Sequence, residues 1–237
     1  MAAEFADRVV MVTGAGGNLG SAIARRFAAG GARLVLVNRS VEPLTALVGE
    51  LGGDPMTAAV DVGQEDAVDA LVRQVEARYG RIDVLAHAVG GFASGKAVYE
   101  PGLDQLDGMW NLNVRPLYIV CGRVARSMLE HQVAGHITAV AARSGLRGAA
   151  KTSAYTASKA ATLRIIESLA LEVRDQGIHV NAVSPSTVDT PTNRESMPKA
   201  DPSKWVTAEQ VADAVAFLSS QAGSAFYGAN LEVYGRA

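Results

Sequence analysis

Thr13-Gly14-Ala15-Gly16-Gly17-Asn18-Leu19-Gly20 is the stretch that decides the fold. The apolar run Val9 to Val12 precedes it, and Leu19, Ile23 and Phe27 follow at helical spacing. A strand therefore feeds a glycine-rich turn that opens a helix. Glycines permit the tight turn and let the backbone approach a ligand closely. Free N–H groups and the helix dipole at that point favour an anion. An ordinary glycine turn is the alternative. The strand-before, helix-after context favours a dinucleotide pyrophosphate site built on Gly14, Gly16, Gly17, Asn18, Leu19 and Gly20.

Outward from this turn, short β-branched runs alternate with longer helical patterns. Strands are expected at 9–13, 33–37, 57–62, 82–88, 136–141, 178–183 and 229–233. Several are nearly continuous apolar runs, as parallel strands buried on both faces should be. Ala67, Leu71, Val75 and Ala77 mark one intervening helix, and Thr207 with Gln210 reads as a capping box before Val211, Val215 and Leu218. The pattern predicts an α/β fold: a Rossmann-type, doubly wound, mostly parallel sheet of about seven strands with helices on both faces. No domain break is visible, so residues 1–237 read as one dinucleotide-binding domain.

The longest irregular stretch is 184–205, with Pro185, Pro191, Pro198 and Pro202. Prolines at that density forbid a long continuous helix. It follows a strand's carboxyl end, where ligands sit in such sheets, so it reads as a substrate lid. A surface excursion is the alternative; Met197 and Trp205 look like packing residues and favour the lid.

Composition narrows the field. Lys plus Arg number 22 against 24 Asp plus Glu, a formal net charge of -2, which supports neither nucleic-acid nor polybasic membrane partners. A single cysteine, Cys121, excludes an internal disulfide framework and a multi-cysteine zinc site, and no ligand-spaced His/Asp/Glu cluster suggests another metal. Glu4 and Asp7 stand where a signal peptide would be basic, and no apolar run is long enough to span a membrane. The expectation is a soluble cytoplasmic protein with a small-molecule substrate.

Two further places carry chemistry. The second strand ends at Asn38-Arg39. A carboxylate there would bind the ribose 2′-OH of NAD, whereas an arginine accommodates the 2′-phosphate of NADP. NADP is favoured over NAD, with a solvated loop charge as the alternative reading of Arg39. Tyr155 and Lys159 lie four residues apart and share a helix face. A nearby ammonium stabilises phenolate, so Tyr155 is expected to shift below its ordinary value of about 10 and to exchange a proton near neutrality.

Taken together, these residues resemble the short-chain dehydrogenase/reductase family over essentially the whole chain. The glycine turn, Asp61-Val62, Gly90, Asn113, the Tyr155/Lys159 pair, Pro185 and Thr190 fall in family order at family spacing. The resemblance implies that Tyr155 is the proton donor and that Lys159 holds the nicotinamide ribose and tunes Tyr155. It implies that Asn113 supports a relay water and that Asp61 and Val62 contact the adenine. Val188 and Thr190 would hold the carboxamide and phosphate, beside Pro185.

Three departures stand out. Asn18 replaces the middle glycine of the usual turn, and His87-Ala88-Val89-Gly90 replaces an Asn-Asn-Ala-Gly segment. Ala142 stands where a serine is expected, thirteen residues before Tyr155. That serine polarises a substrate carbonyl, and a methyl cannot donate a hydrogen bond. Ser144 would face the same way if the strand continued, although Gly145 weighs against that. Ser153 is a weaker substitute or a helix N-cap.

The departures themselves resemble the dihydropteridine reductase-like branch of the family, which also lacks the serine. The carriers are Gly90 to Gly95 with Phe92, Met109-Trp110, Ala142, and Asp189 to Asp201. That branch reduces a quinonoid dihydropterin, an acceptor already electrophilic, and usually prefers NADH with an acidic residue where Asn38-Arg39 stands. The implied function is NAD(P)H-dependent reduction of a small carbonyl or conjugated acceptor beside Phe92 and Trp205. Two rivals remain: a ketone or enone reductase using Ser144, and a catalytically silent NAD(P)H sensor. His87 reads as a cofactor contact or a core histidine, and Cys121 as a buried thiol. By resemblance, the helix with Trp110 and Asn113 and that with Leu163, Ile166 and Leu169 imply a homodimer or homotetramer, although these apolar residues also suit the protomer core.

Overall fold

The computed structural model describes residues 4–236, so Met1 to Ala3 of the amino-terminal stretch and Ala237 lie outside it. Seven parallel strands form one sheet: β1 (Val9–Thr13), β2 (Arg33–Asn38), β3 (Met56–Ala59), β4 (Val84–His87), β5 (His136–Val140), β6 (His179–Pro185) and β7 (Asn230–Val233). Their spatial order is β3-β2-β1-β4-β5-β6-β7, so the chain starts mid-sheet, runs to one edge, then crosses back beside β1. That reversal opens a crevice at the carboxyl ends of β1 and β4, where Thr13 pairs with both Val37 and His87.

Side-chain alternation along the strands feeds two cores. Met11 and Leu85 face a cluster with Val75 of α3 (Glu65–Tyr79), Val124 of α5 (Arg115–Glu130) and Ile166 of α6 (Ser153–Val173). Val10, Val12, Val84 and Ala86 face the other, with Phe27 of α1 (Asn18–Ala29), Leu44 of α2 (Glu42–Leu51) and Val215 of α8 (Ala208–Leu218). Strands buried on both faces explain their continuous apolar runs. The doubly wound expectation therefore holds.

Some boundaries and faces differ. β3 ends at Ala59 and β4 starts at Val84, because pairing with a neighbour, not apolarity alone, sets a strand's length. On α3 the buried stripe is Val68, Leu71, Val72 and Val75, while Ala77 is exposed. Ser184 and Pro185 belong to β6, so the excursion begins after them and holds a short helix, α7 (Pro191–Ser196). Pro191 sits in its first turn, where a missing N–H costs nothing. At α8 both capping-box bonds form: Thr207 Oγ1 accepts from Gln210 N at 3.2 Å, and Thr207 N donates to Gln210 Oε1 at 3.0 Å.

One long helical run carries a defect. Between α4 (Asp104–Met109) and α5, residues Trp110–Val114 form a π-turn. Pro116 explains it. A proline there cannot donate to the Leu112 carbonyl four residues back, and its ring crowds that carbonyl, so the run widens by one residue. Asn113 sits on this widened turn.

Candidate active site

At the phosphate end the glycines are demanded by close backbone approach. A Cβ on Gly20 would lie 2.0 Å from the Gly14 carbonyl oxygen. Gly14 itself has φ +72 and leaves no room beside Ala88. Gly17, the N-cap of α1, offers no side-chain bond to the helix's first N–H groups. Those donors point out at a helix amino terminus, the arrangement that suits a phosphate. Asn18 opens α1, so replacement of the usual glycine leaves the turn intact.

Beside it lies a cavity of about 560 Å³ lined by Gly14, Gly17, Asn38, Arg39, Asp61 and Val62 and extending to Gly90. Asn38 Nδ2 donates to the Ser40 carbonyl at 3.1 Å and packs under Gly16. Arg39 is exposed at the cavity rim with no ion pair among the described residues. Asp61 Oδ1 accepts from Gly63 N at 2.9 Å, fixing the loop under which Val62 is buried. The residues thus fit a dinucleotide: backbone donors for phosphates, an apolar wall at Val62, and the Arg39 cation at the rim.

The chemical end is a knot of hydrogen bonds. Asn113 Oδ1 accepts from Gly91 N at 2.8 Å, and its Nδ2 donates to Gly91 O at 3.1 Å and to Ser158 Oγ at 2.9 Å. Ser158 Oγ donates in turn to the Tyr155 carbonyl at 2.8 Å. Lys159 Nζ donates to the Val140 carbonyl at 3.1 Å, at the end of β5. A Cβ on Gly90 would meet Asn113 Oδ1 at 2.8 Å and Lys159 Nζ at 3.1 Å, so Gly90, Asn113 and Lys159 converge. Tyr155 meets the exposed ring of Phe92 edge-on, with centroids 4.8 Å apart.

The phenol does not behave as its spacing from Lys159 suggests. Burial pushes Tyr155 up to about 12, and no charge offsets it. Burial also brings Lys159 down to about 8. The ammonium is directed at β5, and that is why the expected lowering of Tyr155 is not seen.

Ala142 is buried, and its side chain is a methyl with no hydrogen to donate. β5 ends at Val140, and Arg143–Gly145 form a 3-10 turn. The alternation that would align Ser144 with Ala142 therefore does not apply. A Cβ on Gly145 would fall 2.8 Å from the Lys159 backbone, so this turn presses directly on α6. Ser153 is the first residue of α6, not its N-cap, which is Thr152.

Around the excursion, Pro185 ends β6 and Val188 forms a parallel bridge with Val206. Thr190 caps α7, its Oγ1 accepting from Asn193 N at 3.2 Å, which leaves the hydroxyl hydrogen free to donate elsewhere. Trp205 is half-buried at the far end of the segment. These residues, like Tyr155 and Lys159, lie outside the lining of the cavity described above; Gly90 links the two regions.

Sequence reasoning missed Ser158, the Gly91 backbone pair and the Val140 carbonyl. Only Ser158 had a signal, one residue before Lys159; backbone partners have none. It also left His87 open, and the structure places that ring in the buried interior, with Nδ1 2.9 Å from Thr13 Oγ1.

The chain is 34% identical to cis-4-hydroxycyclohexanecarboxylate dehydrogenase of Sinomonas cyclohexanicum, over 99% of this chain and 98% of that protein. Its fold is similar to that of NAD+-bound xylitol dehydrogenase, with TM-score 0.89 and 28% identity over 98% of this chain and 99% of that one. It is also similar to a short-chain type dehydrogenase/reductase from Mycobacterium ulcerans, with TM-score 0.92 and 25% identity over 98% and 90% of the two chains. The family model for short chain dehydrogenase matches residues 8–201. With that match covering the glycine turn, Asn113 and the Tyr155/Lys159 pair, the chain belongs to the short-chain dehydrogenase family and is an NAD(P)-dependent oxidoreductase.

Proposed function

We propose that this oxidoreductase reduces a small conjugated acceptor of the quinonoid, pterin-like kind, with Tyr155 as proton donor and NADP(H) favoured over NAD(H). The observation that carries the reading is the buried methyl of Ala142. A site without a hydroxyl there gives a carbonyl little polarisation, so it suits an acceptor that is already electrophilic. Phe92, edge-on to Tyr155, offers such a planar acceptor an aromatic wall.

The bound nicotinamide supplies the hydride. The α1 amino terminus and the glycine turn would hold its pyrophosphate, Asp61 and Val62 its adenine, and Arg39 a 2′-phosphate. Lys159 would hold the nicotinamide ribose, with Val188 and Thr190 toward the carboxamide and phosphate. Tyr155 keeps its proton at neutral pH, as a donor must, because burial disfavours the phenolate. Asn113 is held rigid by Gly91 and Ser158 and so fixes the π-turn against α6. The excursion after β6 closes the side where Trp205 lies and keeps water from the acceptor.

A second reading is an ordinary alcohol or ketone dehydrogenase, favoured by the name of the Sinomonas relative, which acts on a cyclohexane alcohol. A silent sensor is disfavoured, because Asn113 and Lys159 converge at Gly90. The exposed Trp110 and Tyr118 support a homodimer or homotetramer through this helical face, testable by sedimentation.

The test is nicotinamide oxidation with NADH and NADPH in turn, offering quinonoid dihydropterin, quinones, diketones and simple ketones. Turnover of the conjugated acceptors with little of the ketones is the expected outcome. Efficient turnover of cyclic ketones instead would overturn the first reading for the second.

A further inference from the structure

Just past the carboxyl end of β6 the chain folds back and fastens its own backbone. Val206 N donates to the Thr187 carbonyl at 3.0 Å, and Asp189 N donates to the Val206 carbonyl at 2.7 Å. This parallel bridge uses the groups of Thr187 and Asp189, so the N–H and C=O of Val188 between them are turned away from Val206. The Val188 carbonyl is taken: Asn193 Nδ2 donates to it at 2.8 Å. The Val188 N–H has no partner among the described residues.

Two neighbours on α7 reach back to two neighbours on this segment. Asn193 holds Val188, and Arg194 grips Asp189 with both arms of its fork, Nε to Oδ1 at 2.6 Å and Nη2 to Oδ2 at 2.7 Å. The turn that returns them is local. Thr190 Oγ1 accepts from Asn193 N at 3.2 Å, Thr190 O accepts from Arg194 N at 3.0 Å, and Pro191 presets the first turn. Exposed ion pairs usually contribute little, but a bidentate arginine–carboxylate fork fixes geometry. The fork also holds the Asp189 carboxyl below its ordinary range. The backbone from Val188 to Thr190 is thus braced from two sides, by Val206 and by α7.

We propose that Asn193 and Arg194 are positioning residues for the nicotinamide end of the cofactor: folded back as α7, they hold Val188 to Thr190 in the one conformation that leaves the Val188 N–H and the Thr190 hydroxyl hydrogen as donors. Neither side chain has to touch the cofactor. The inference rests on the reading of Val188 and Thr190 as contacts toward the carboxamide and phosphate, and it is independent of the acceptor.

Binding decides it. Calorimetry on the full chain would compare NADPH with 2′-phospho-ADP-ribose, and NADH with ADP-ribose; each shorter ligand keeps the adenine end and lacks the nicotinamide. Asn193→Ala should weaken the whole cofactors roughly three- to tenfold and leave the shorter ligands within about twofold of wild type. Arg194→Met and Asp189→Asn should each give a smaller selective loss, and the double variant no more than the larger single one, as two groups acting as one unit require. Unchanged or tighter cofactor binding in Asn193→Ala would overturn the proposal, as would an equal loss for whole and shortened ligands, which a merely structural role predicts. Additive losses at Asp189 and Arg194 would overturn the part played by the fork. Amide NMR of the wild type separates this inference from the reading beneath it. The Val188 and Thr190 signals should shift with the whole cofactor and not with the shortened one. If they do and Asn193→Ala still binds normally, the positioning role alone falls; if they do not, the cofactor reading falls and the proposal with it.

Discussion

At the residue scale the site turns on a few atoms with opposed demands. In the proposed reaction Tyr155 must keep a proton until it is needed and then release it. Burial serves the first demand by raising the phenol to about 12; in the proposed reaction Lys159, whose ammonium donates to the Val140 carbonyl, would serve the second while holding the nicotinamide ribose. Tyr155→Phe should therefore lower kcat by about a hundred- to ten-thousand-fold, the usual contribution of a positioned proton donor. Cofactor affinity, read by fluorescence titration, should hardly change; a parallel loss of affinity would mean that the phenol binds rather than reacts. Arg39 makes a separable contribution. Arg39→Asp should weaken NADPH about tenfold or more and leave NADH nearly unaffected, because a charge-assisted bond to a phosphate is lost and a repulsion gained. Equal weakening of both cofactors would remove Arg39 from the 2′-phosphate.

At the scale of elements, the glycine turn is the joint between β1 and α1. Gly20→Ala puts a methyl 2.0 Å from the Gly14 carbonyl oxygen, a contact only backbone movement can relieve. It should cost about 1–3 kcal/mol in urea unfolding and abolish tight cofactor binding. Gly17→Ala meets the same oxygen at 3.4 Å, an ordinary contact, and should fold with stability close to the wild type. Similar destabilisation of both would show that the close approach at Gly20 does not set the cost of a methyl in this turn. The same contrast explains what the sequence could disclose. The seven strands, the capping box at Thr207 and the Tyr155/Lys159 pair are local patterns, and each was legible. The π-turn at Trp110–Val114 and the 3-10 turn at Arg143–Gly145 were not. The first answers to Pro116 inside an otherwise good helix, the second to the backbone of α6 across the site. The direction of the Tyr155 shift was missed for the same reason: spacing on a helix reports a shared face, whereas burial is set by Phe92 and the loops above it.

The whole molecule separates its chemistry from its fastening along the strand axis. Carboxyl ends carry the turn, Asn113, Tyr155 and Lys159; amino ends carry a stack of rings. His136 and His179, paired in register at the starts of β5 and β6, stack at 4.5 Å, and Tyr227 covers His179 at 4.3 Å. His136 Nδ1–H donates to the Leu218 carbonyl at 3.1 Å, tying α8 to the sheet. Burial lowers His136 to about 4 and His87 to about 3, both from the ordinary 6.5. Between those values and 6.5 the unfolded chain binds protons that the folded chain refuses. Stability is then fully present above pH 6.5 and falls as pH drops toward 4 and then 3, each histidine contributing up to about 1.4 kcal/mol per pH unit. Between pH 6.5 and 5 the carboxylates stay ionised, so the slope there belongs to histidines. His136→Asn keeps a donor for Leu218 and removes one titration. Urea midpoints of the wild type should fall across that window, and those of the variant should fall less steeply while matching the wild type's order of stability at pH 7.5. Parallel slopes in the two proteins would take the acid sensitivity away from His136 and leave it to His87 at the other end of the sheet or to His179, which burial also lowers.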